Sequence, residues 1–430
     1  MKIFVYDEFG PENIAMMQAL YSRSSQSVVE HVKKVKETGS GNFMEKFYVG
    51  YGHASIADCG STTIFIEDVS MLTTKAVQDW SLYSGQETSS RYIDLSKRAL
   101  VDPIGTKESK AIQLLWMKFY TDSQEKVEAH IRKQYPQKPR ENDNIYAKAV
   151  KARAFDTLRG FLPAGVTTQF SWHTNLRQAA DKLALLTHHP LPEIRGVGEK
   201  ILSELQKKYP SSFSHSFTPA QTAYRELLGK KYTYFLEKKY AGDFAFSTNI
   251  KPASLTSYKD IVSKRPQKTG LPHFLADLGT ATFNFLLDFG SFRDVQRHRN
   301  GVCRMPLLTT KFGFNKWYLD ELPADLRKEA KTLIKEQVSR IRKLKTTPEI
   351  LQYYIAMGFN VSCKTTYALP ATVYTLELRS GRMVHPTLRR VAHKMAKALK
   401  KKLPALALHT DDSLSDWDVR RGEQDIKEKK

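Results

Sequence analysis

Two stretches of the chain repeat one pattern of apolar and polar positions. Residues Thr62 to Ser70 (TTIFIEDVS) and Phe283 to Ser291 (FNFLLDFGS) each read as a β-prone apolar run, then an acidic residue, then a serine placed to cap a following helix. A histidine precedes each run, His53 in one case and His273 in the other, and the two serines lie 221 residues apart. Further on, His189-Pro190 ahead of Glu193, Ile194 and Arg195 is matched by His385-Pro386 ahead of Leu388 and Arg389, at an offset of 196. The pattern predicts two diverged copies of one unit of roughly two hundred residues. They would occupy 1–215 and 216–410, with a polar tail over 411–430.

The second copy is the shorter. The difference is expected in the first copy's polar stretch from Tyr120 to Asn144, which reads as a surface excursion. Tyr209 to Ser216 is linker-like, and Thr218-Pro219 then supplies an N-cap and a first-turn proline. Tyr224, Leu227, Leu228 and Phe235 follow at helical spacing, as do Leu326, Ala330, Leu333, Ile334 and Ile341 in a later basic helix; both stripes are expected to face a core. From Arg389 to Leu403 the apolar face is Val391, Met395 and Leu399, and the lysines opposite suit either a solvated face or a polyanion. Beyond Asp411 the polar composition predicts a mobile tail without chemistry.

Composition narrows the class. A chain of 430 residues exceeds one typical core, and 41% hydrophobic residues suffice to bury two. No apolar run approaches the roughly 20 residues a membrane helix needs, and the start MKIFVYDEFGPE lacks a basic leader, so a soluble, cytoplasmic protein without membrane contact is expected. Cys59, Cys303 and Cys363 are odd in number and have no zinc or redox spacing. No HExxH-type ligand pair occurs, and no metal is expected. Lys and Arg outnumber Asp and Glu by 67 to 45, a net charge of +22 that favours anionic partners and keeps nucleic acid among them.

Two short segments concentrate reactive groups. Ser84-Gly85-Gln86-Glu87-Thr88-Ser89-Ser90-Arg91-Tyr92 combines hydroxyls, a carboxylate and an arginine. Such a mixture suits a phosphorylated nucleotide at a helix start, while the Ser84 to Glu87 spacing equally suits a capping box. Arg297-His298-Arg299, after Phe292-Arg293-Asp294-Val295-Gln296, is either a surface basic patch or a clamp for a diphosphate and a reduced isoalloxazine.

Together the two segments resemble the signature R-H-R-x-x-S-x-(N/Q)-E-x-S-x-R-Y of the flavin-dependent thymidylate synthases, divided between the copies. The first copy keeps Ser84, Gln86, Glu87, Ser89, Arg91 and Tyr92 but has Asp79-Trp80-Ser81 in place of R-H-R. The second keeps Arg297, His298 and Arg299 but continues with Val302, Arg304, Met305, Leu307, Thr309 and Thr310. GHASI at 52–56 and IEDVS at 66–70 are similar to the family's G-H-x-S and I-E-G-V-S stretches. Arg159-x-x-Leu162-Pro163 and Asn175-Leu176-Arg177 look like its R-x-x-L-P and N-x-R elements; the second copy has Leu369-Pro370 with Thr366 in the arginine's place. Leu378-Arg379 looks like the family's L-R element, and Glu377-Leu378-Arg379 reads alternatively as a worn N-x-R.

The resemblance implies an α+β fold of two tandem thymidylate-synthase-like domains, each a sheet packed with long helices. It implies conversion of dUMP to dTMP with FAD as cofactor and methylenetetrahydrofolate and NADPH as co-substrates, at a composite site of a homodimer that mimics a tetramer of copies. Ser84, Gln86, Glu87, Ser89, Arg91, Tyr92 and Arg159 would hold the nucleotide. Asn175, Arg177, Arg297, His298 and Arg299 would hold flavin, Arg379 would face the base, and Arg379 and Arg297 would act in catalysis. The rival expectations are a decayed scaffold that binds nucleic acid through its basic surface, and a flavin enzyme for another uracil-containing substrate.

Overall fold

The computed structural model describes residues 8–22, 24, 26–51, 53–237 and 242–424. Gly52 of the GHASI stretch, the first seven residues and the tail from 425 lie outside the described residues. The fold is α+β. The chain forms two compact units: one of residues 1–69, 73–87 and 168–233, the other of 70–72, 88–167 and 234–430.

In the first unit, strands β1 (Ser61–Ser70) and β2 (Thr167–Asn175) form a two-stranded sheet. Helices Pro11–Tyr21 and Val28–Thr38 pack through Met16, Met17, Val32 and Val35. The linker-like stretch is packed too: Phe213 and Ser212 are buried, and Gln206 donates to the Phe213 carbonyl at 3.1 Å. Thr218 caps helix Pro219–Tyr232 as its sequence predicts, in a capping box with Gln221. The expected core stripe on that helix is corrected, because Tyr224 and Leu227 are exposed and none of its residues is buried.

The second unit holds a four-stranded antiparallel sheet in the order β3-β4-β6-β5, made of β3 (Phe244–Thr248), β4 (Thr280–Asp288), β5 (Val302–Cys303) and β6 (Asn360–Ala368). Strand β4 pairs with β6 along its whole length, from Thr280 opposite Ala368 to Asp288 opposite Asn360. Alternation places Ala281, Phe283, Phe285 and Leu287 on one buried face. Leu326, Ala330 and Ile341 bury the inner face of helix Ala324–Lys343, and Val391, Met395 and Leu399 that of helix Pro386–Lys402.

The element boundaries show the repeat and reset its register. Strand β1 ends at Ser70 with a helix starting at Met71, and β4 ends at Asp288 with a helix starting at Phe289, an offset of 218. The serine match is thereby corrected. Asp288, not Ser291, stands where Ser70 stands, and its carboxylate accepts from the Ser291 N–H at 2.8 Å as the helix cap. Strands β2 and β6 each have nine residues at an offset of 193, and the helices after them start at Leu176 and Leu369. Helices Pro192–Lys208 and Pro386–Lys402 each have 17 residues, so Pro192 and not Pro190 is the counterpart of Pro386. At an offset of 193, Arg159 corresponds to Gln352 rather than to Thr366.

The first copy's added residues fall between its strands, where helices Lys107–Asp122, Gln124–Gln134 and Asp143–Leu158 stand against Ala324–Lys343 and Pro348–Leu351 in the second. The Tyr120 to Asn144 excursion is thus largely helical, because Val127 and Ile131 give it a buried face. Within the second unit the copies meet in a reciprocal backbone ladder. Ala164 N–H donates to Ile355 and Met357 N–H to Leu162 (3.0 and 2.8 Å); Gly165 N–H donates to Tyr353 and Gly358 N–H to Gly160 (3.0 and 2.7 Å). Moving either bond of a pair by 193 residues gives the other, which is a local two-fold. The compact units interleave in sequence, so a copy boundary near residue 215 stays a proposal about descent. The tail expected to be mobile is instead packed as far as Gln424, with Arg421 and Gly422 buried.

Candidate functional site

Helix Phe289–Val295 stops at Gln296, and the Arg-His-Arg tripeptide occupies the turn beyond it. His298 is buried, and its Nε2 accepts from Arg379 Nε at 2.7 Å. Burial first, and then the Arg379 charge, push the imidazole down to about 3, so the ring is neutral and its proton sits on Nδ1. Arg379, from the last turn of helix Leu369–Ser380, also donates Nη2 to the Asp294 carbonyl at 2.8 Å. Asp294 is desolvated, which alone would raise its carboxyl, but Arg297 and Arg379 hold it well below the usual carboxylate range. Arg297 lies 3.6 Å from that carboxylate and is half exposed, and Arg299 donates to the Arg297 carbonyl.

Arg91 approaches from the irregular segment after the first copy's helix Met71–Gln78. Its Nε donates to Asp156 Oδ1 at 3.0 Å and its Nη1 to the Met383 carbonyl at 3.1 Å. Asp156 is fully buried on helix Asp143–Leu158 and also accepts from Arg421 at 2.9 Å. Its burial would raise the carboxyl; Arg91, Arg421 and Arg159 reverse that. His385 is buried beside it, with Nδ1 facing Ser291 and Thr387 hydroxyls at 3.1 and 2.8 Å, and burial drives its pKa well below the usual value.

Arg91, Arg297 and Arg379 open onto one cleft of about 670 Å³, walled also by Arg382, Arg420, Asp294, Asp411, Met383, Val384 and His385. Five guanidinium groups and two carboxylates line it, so the lining carries a net positive charge. Arg159 is placed differently. It lies buried, donating Nη2 to Ser291 Oγ at 2.9 Å and standing 3.8 Å from Asp156, and it does not line the cleft. Ser89 Oγ accepts from Arg91 N–H at 3.3 Å, and the Tyr92 hydroxyl donates to the Arg421 carbonyl and to Gln424.

The remaining expected residues belong to the first unit. Ser84 and Gln86 bond to β2 through His173 and Ser171, so Ser84 neither caps a helix nor forms a capping box; no helix starts there. The Glu87 carboxylate is buried, accepting from Lys75 at 2.8 Å and Gln78 at 3.2 Å. Asn175 caps the following helix through Gln178 N–H, and Asn175 and Arg177 both donate to Asp58, at 3.2 and 2.7 Å. At the counterpart of Arg-His-Arg, Trp80 Nε1 donates to Gln178 at 2.8 Å and the Lys182 ammonium to the Asp79 carbonyl at 2.8 Å, beside the Trp80 ring. Burial brings Lys182 down to about 8. The first copy's position is filled by its own side chains.

Sequence reasoning missed Asp156, Arg382, Arg420 and Arg421. Only the HisPro step before Leu388 and Arg389 pointed toward their neighbourhood.

Comparison with known proteins bears first on the amino-terminal half of the chain. Residues 5–211 match the family model of the thymidylate synthase complementing protein. That match ends near the close of the first copy. Longer relatives extend it: a UPF0159 protein of Chlamydia muridarum is 28% identical over 85% of this chain and 79% of its own length. One from Chlamydia pneumoniae is 26% identical over 90% and 83%, and one from Thermoplasma acidophilum 23% identical over 91% and 93%. These alignments pass well beyond residue 211, so the length of both copies recurs in single chains. Among the described residues, no helix is long and apolar enough to cross a membrane, and no group of three or more His, Cys, Asp or Glu could hold a metal ion.

Proposed function

We propose that the cleft is the uracil-nucleotide site of a flavin-dependent methylation that turns dUMP into dTMP, with methylenetetrahydrofolate as carbon donor and NADPH as reductant. One observation carries this reading: Arg91, from the first copy's half of the signature, faces the same cleft as Arg297 and Arg379 from the second copy. Arg91 and Ser89 hold the nucleotide phosphate. His298, neutral and accepting, fixes the plane of Arg379, whose remaining Nη1 donates to the pyrimidine carbonyl as negative charge develops on the ring. Arg159 acts from beneath, fixing Ser291 and Asp156.

The cationic lining fits a phosphate-bearing cofactor such as FAD, with Arg297 and Arg299 on its diphosphate. When bound, reduced flavin supplies the two-electron reduction that completes the methyl group. Ser84, Gln86, Glu87, Tyr92, Asn175 and Arg177 enter this proposal by the family pattern; Arg177 would exchange Asp58 for a phosphate. A cytoplasmic homodimer remains the proposed assembly.

Purified protein should carry, or take up, yellow FAD and methylate dUMP when given methylenetetrahydrofolate and NADPH. Colourless protein that cannot be reconstituted with FAD would remove the mechanism. The net charge of +22 supports a second reading, a polymeric uracil-containing substrate or a nucleic-acid scaffold. Affinity for RNA or DNA that falls steeply with salt, without flavin, would favour it.

A further inference from the structure

The carboxy-terminal segment 411–424 is mostly polar and lies outside the family match, yet it forms one wall of the cleft through Asp411 and Arg420. Several independent contacts hold it. Arg421 is buried, donating to Asp156 Oδ2 at 2.9 Å and to the Arg382 carbonyl at 3.0 Å. Asp156 receives Arg91 on its other oxygen, so one carboxylate positions both walls. Arg389 donates to the Asp411 and Ser413 carbonyls at 2.9 and 2.7 Å, and Trp417 stacks on Tyr135 with ring centroids 4.6 Å apart. Gly422 lies so near the Ile145 carbonyl that a Cβ would come within 2.1 Å of its oxygen.

Two guanidinium groups on this side differ from the anchoring arginines. Asp418 grips Arg420 with both oxygens, through Nε at 3.0 Å and Nη2 at 2.6 Å, which fixes the guanidinium plane while the side chain stays 63% exposed. Arg382 stands 3.7 Å from Asp411 and 3.9 Å from Asp418, in ion-pair range but beyond hydrogen-bond length. A guanidinium held at one edge and attracted from a distance is preorganised for an incoming oxyanion.

We propose that segment 411–424 is a fixed strap over the cleft and that Arg420 and Arg382 form a phosphate subsite for the ligand bound there. Calling that ligand dUMP rests on the reading above; the subsite itself requires only an anion. Asp156 and Arg421 are positioning residues that set the strap.

The test is binding by the full-length protein, read by calorimetry, with dUMP and inorganic pyrophosphate as separate probes. Arg420→Ala and Arg382→Ala should each weaken dUMP binding roughly tenfold, the worth of one charge-assisted hydrogen bond, and Arg420→Lys should recover part of it. Affinity for deoxyuridine, which has no phosphate, should not change in either variant. Wild-type protein that ignores dUMP but binds pyrophosphate in an Arg420-dependent way would support the subsite and sink the dUMP reading. A folded Arg382→Ala, Arg420→Ala double variant that binds both probes as tightly as wild type would overturn the subsite. Both arginines are at the surface of the fold, and an unchanged melting temperature verifies that the variants fold.

Discussion

In each copy the ring at one corresponding position, Trp80 or His298, meets a cation from the helix after β2 or β6, though from different positions of that helix: at an offset of 193, Arg379 corresponds to Leu186 and Lys182 to Thr375. In the second copy the pair is His298 with Arg379, and the guanidinium looks into an arginine-lined cleft. In the first it is Trp80 with Lys182, and the ammonium is buried against the Asp79 carbonyl. Arg379 keeps donors for a ligand, whereas Lys182 spends a donor internally and is desolvated enough to bring its pKa to about 8. The second copy's position opens onto a cleft and the first copy's is filled by its own side chains. The sheets differ in parallel: β4 lies between β3 and β6, while β1 pairs with β2 in a sheet of two and leaves Phe65 75% exposed.

The sharpest attack on this contrast is catalytic. Arg91→Ala and His298→Ala alter opposite halves of the split signature, and each alone should abolish measurable turnover of dUMP. Arg379→Ala should cost about 10²–10³ in kcat, the usual loss of a preorganised donor. Full activity in either half-signature variant would end the shared-site idea. Next comes the packing contrast. Phe283→Ala on β4 should destabilise by about 3–5 kcal/mol in denaturant unfolding, and Phe65→Ala on β1 by under about 0.5 kcal/mol.

Acid follows. Burial and nearby cations lower His298 and His189 to about 3 and His385 well below its usual value. Between about pH 6.5 and 3 the unfolded chain binds protons that the folded one refuses, so stability falls as pH drops through that window. The slope should approach about 1.4 kcal/mol per pH unit for each histidine, and His298→Gln should flatten it; an acid limb unchanged in that variant would count against a neutral His298. On turnover the smallest effect is expected in the sealed copy, where Lys182→Met removes a buried charge. Stability should shift by under about 2 kcal/mol, with turnover unaffected.

Much of this was legible in the residues, but unevenly. Strands β1 and β4 were legible as apolar, β-prone runs ending in an acidic residue, whereas β6, with its Ser, Thr and Lys, was not read, and the divided signature put Arg91 and Arg297 in one hypothesis. Register was misread where chemistry changed with ancestry: Asp288 took over the capping role that a serine-to-serine alignment gave to Ser291. That Glu87 and Arg159 are buried against charged partners was not legible, because a charged residue so paired looks the same in sequence as one offered to solvent. The tail failed for the same reason. Its anchor is the Arg421 to Asp156 ion pair, and no hydrophobic periodicity marks a segment held by charge.

The reciprocal ladder between 160–165 and 353–358 bears on how the chain can be made. Each half, synthesised apart, would present four strong backbone groups with no mate, plus the apolar surface around them. The N-terminal fragment should therefore be poorly soluble alone and should recover a folded form when mixed with its complement, much as a torn ticket is valid only when both stubs are shown together.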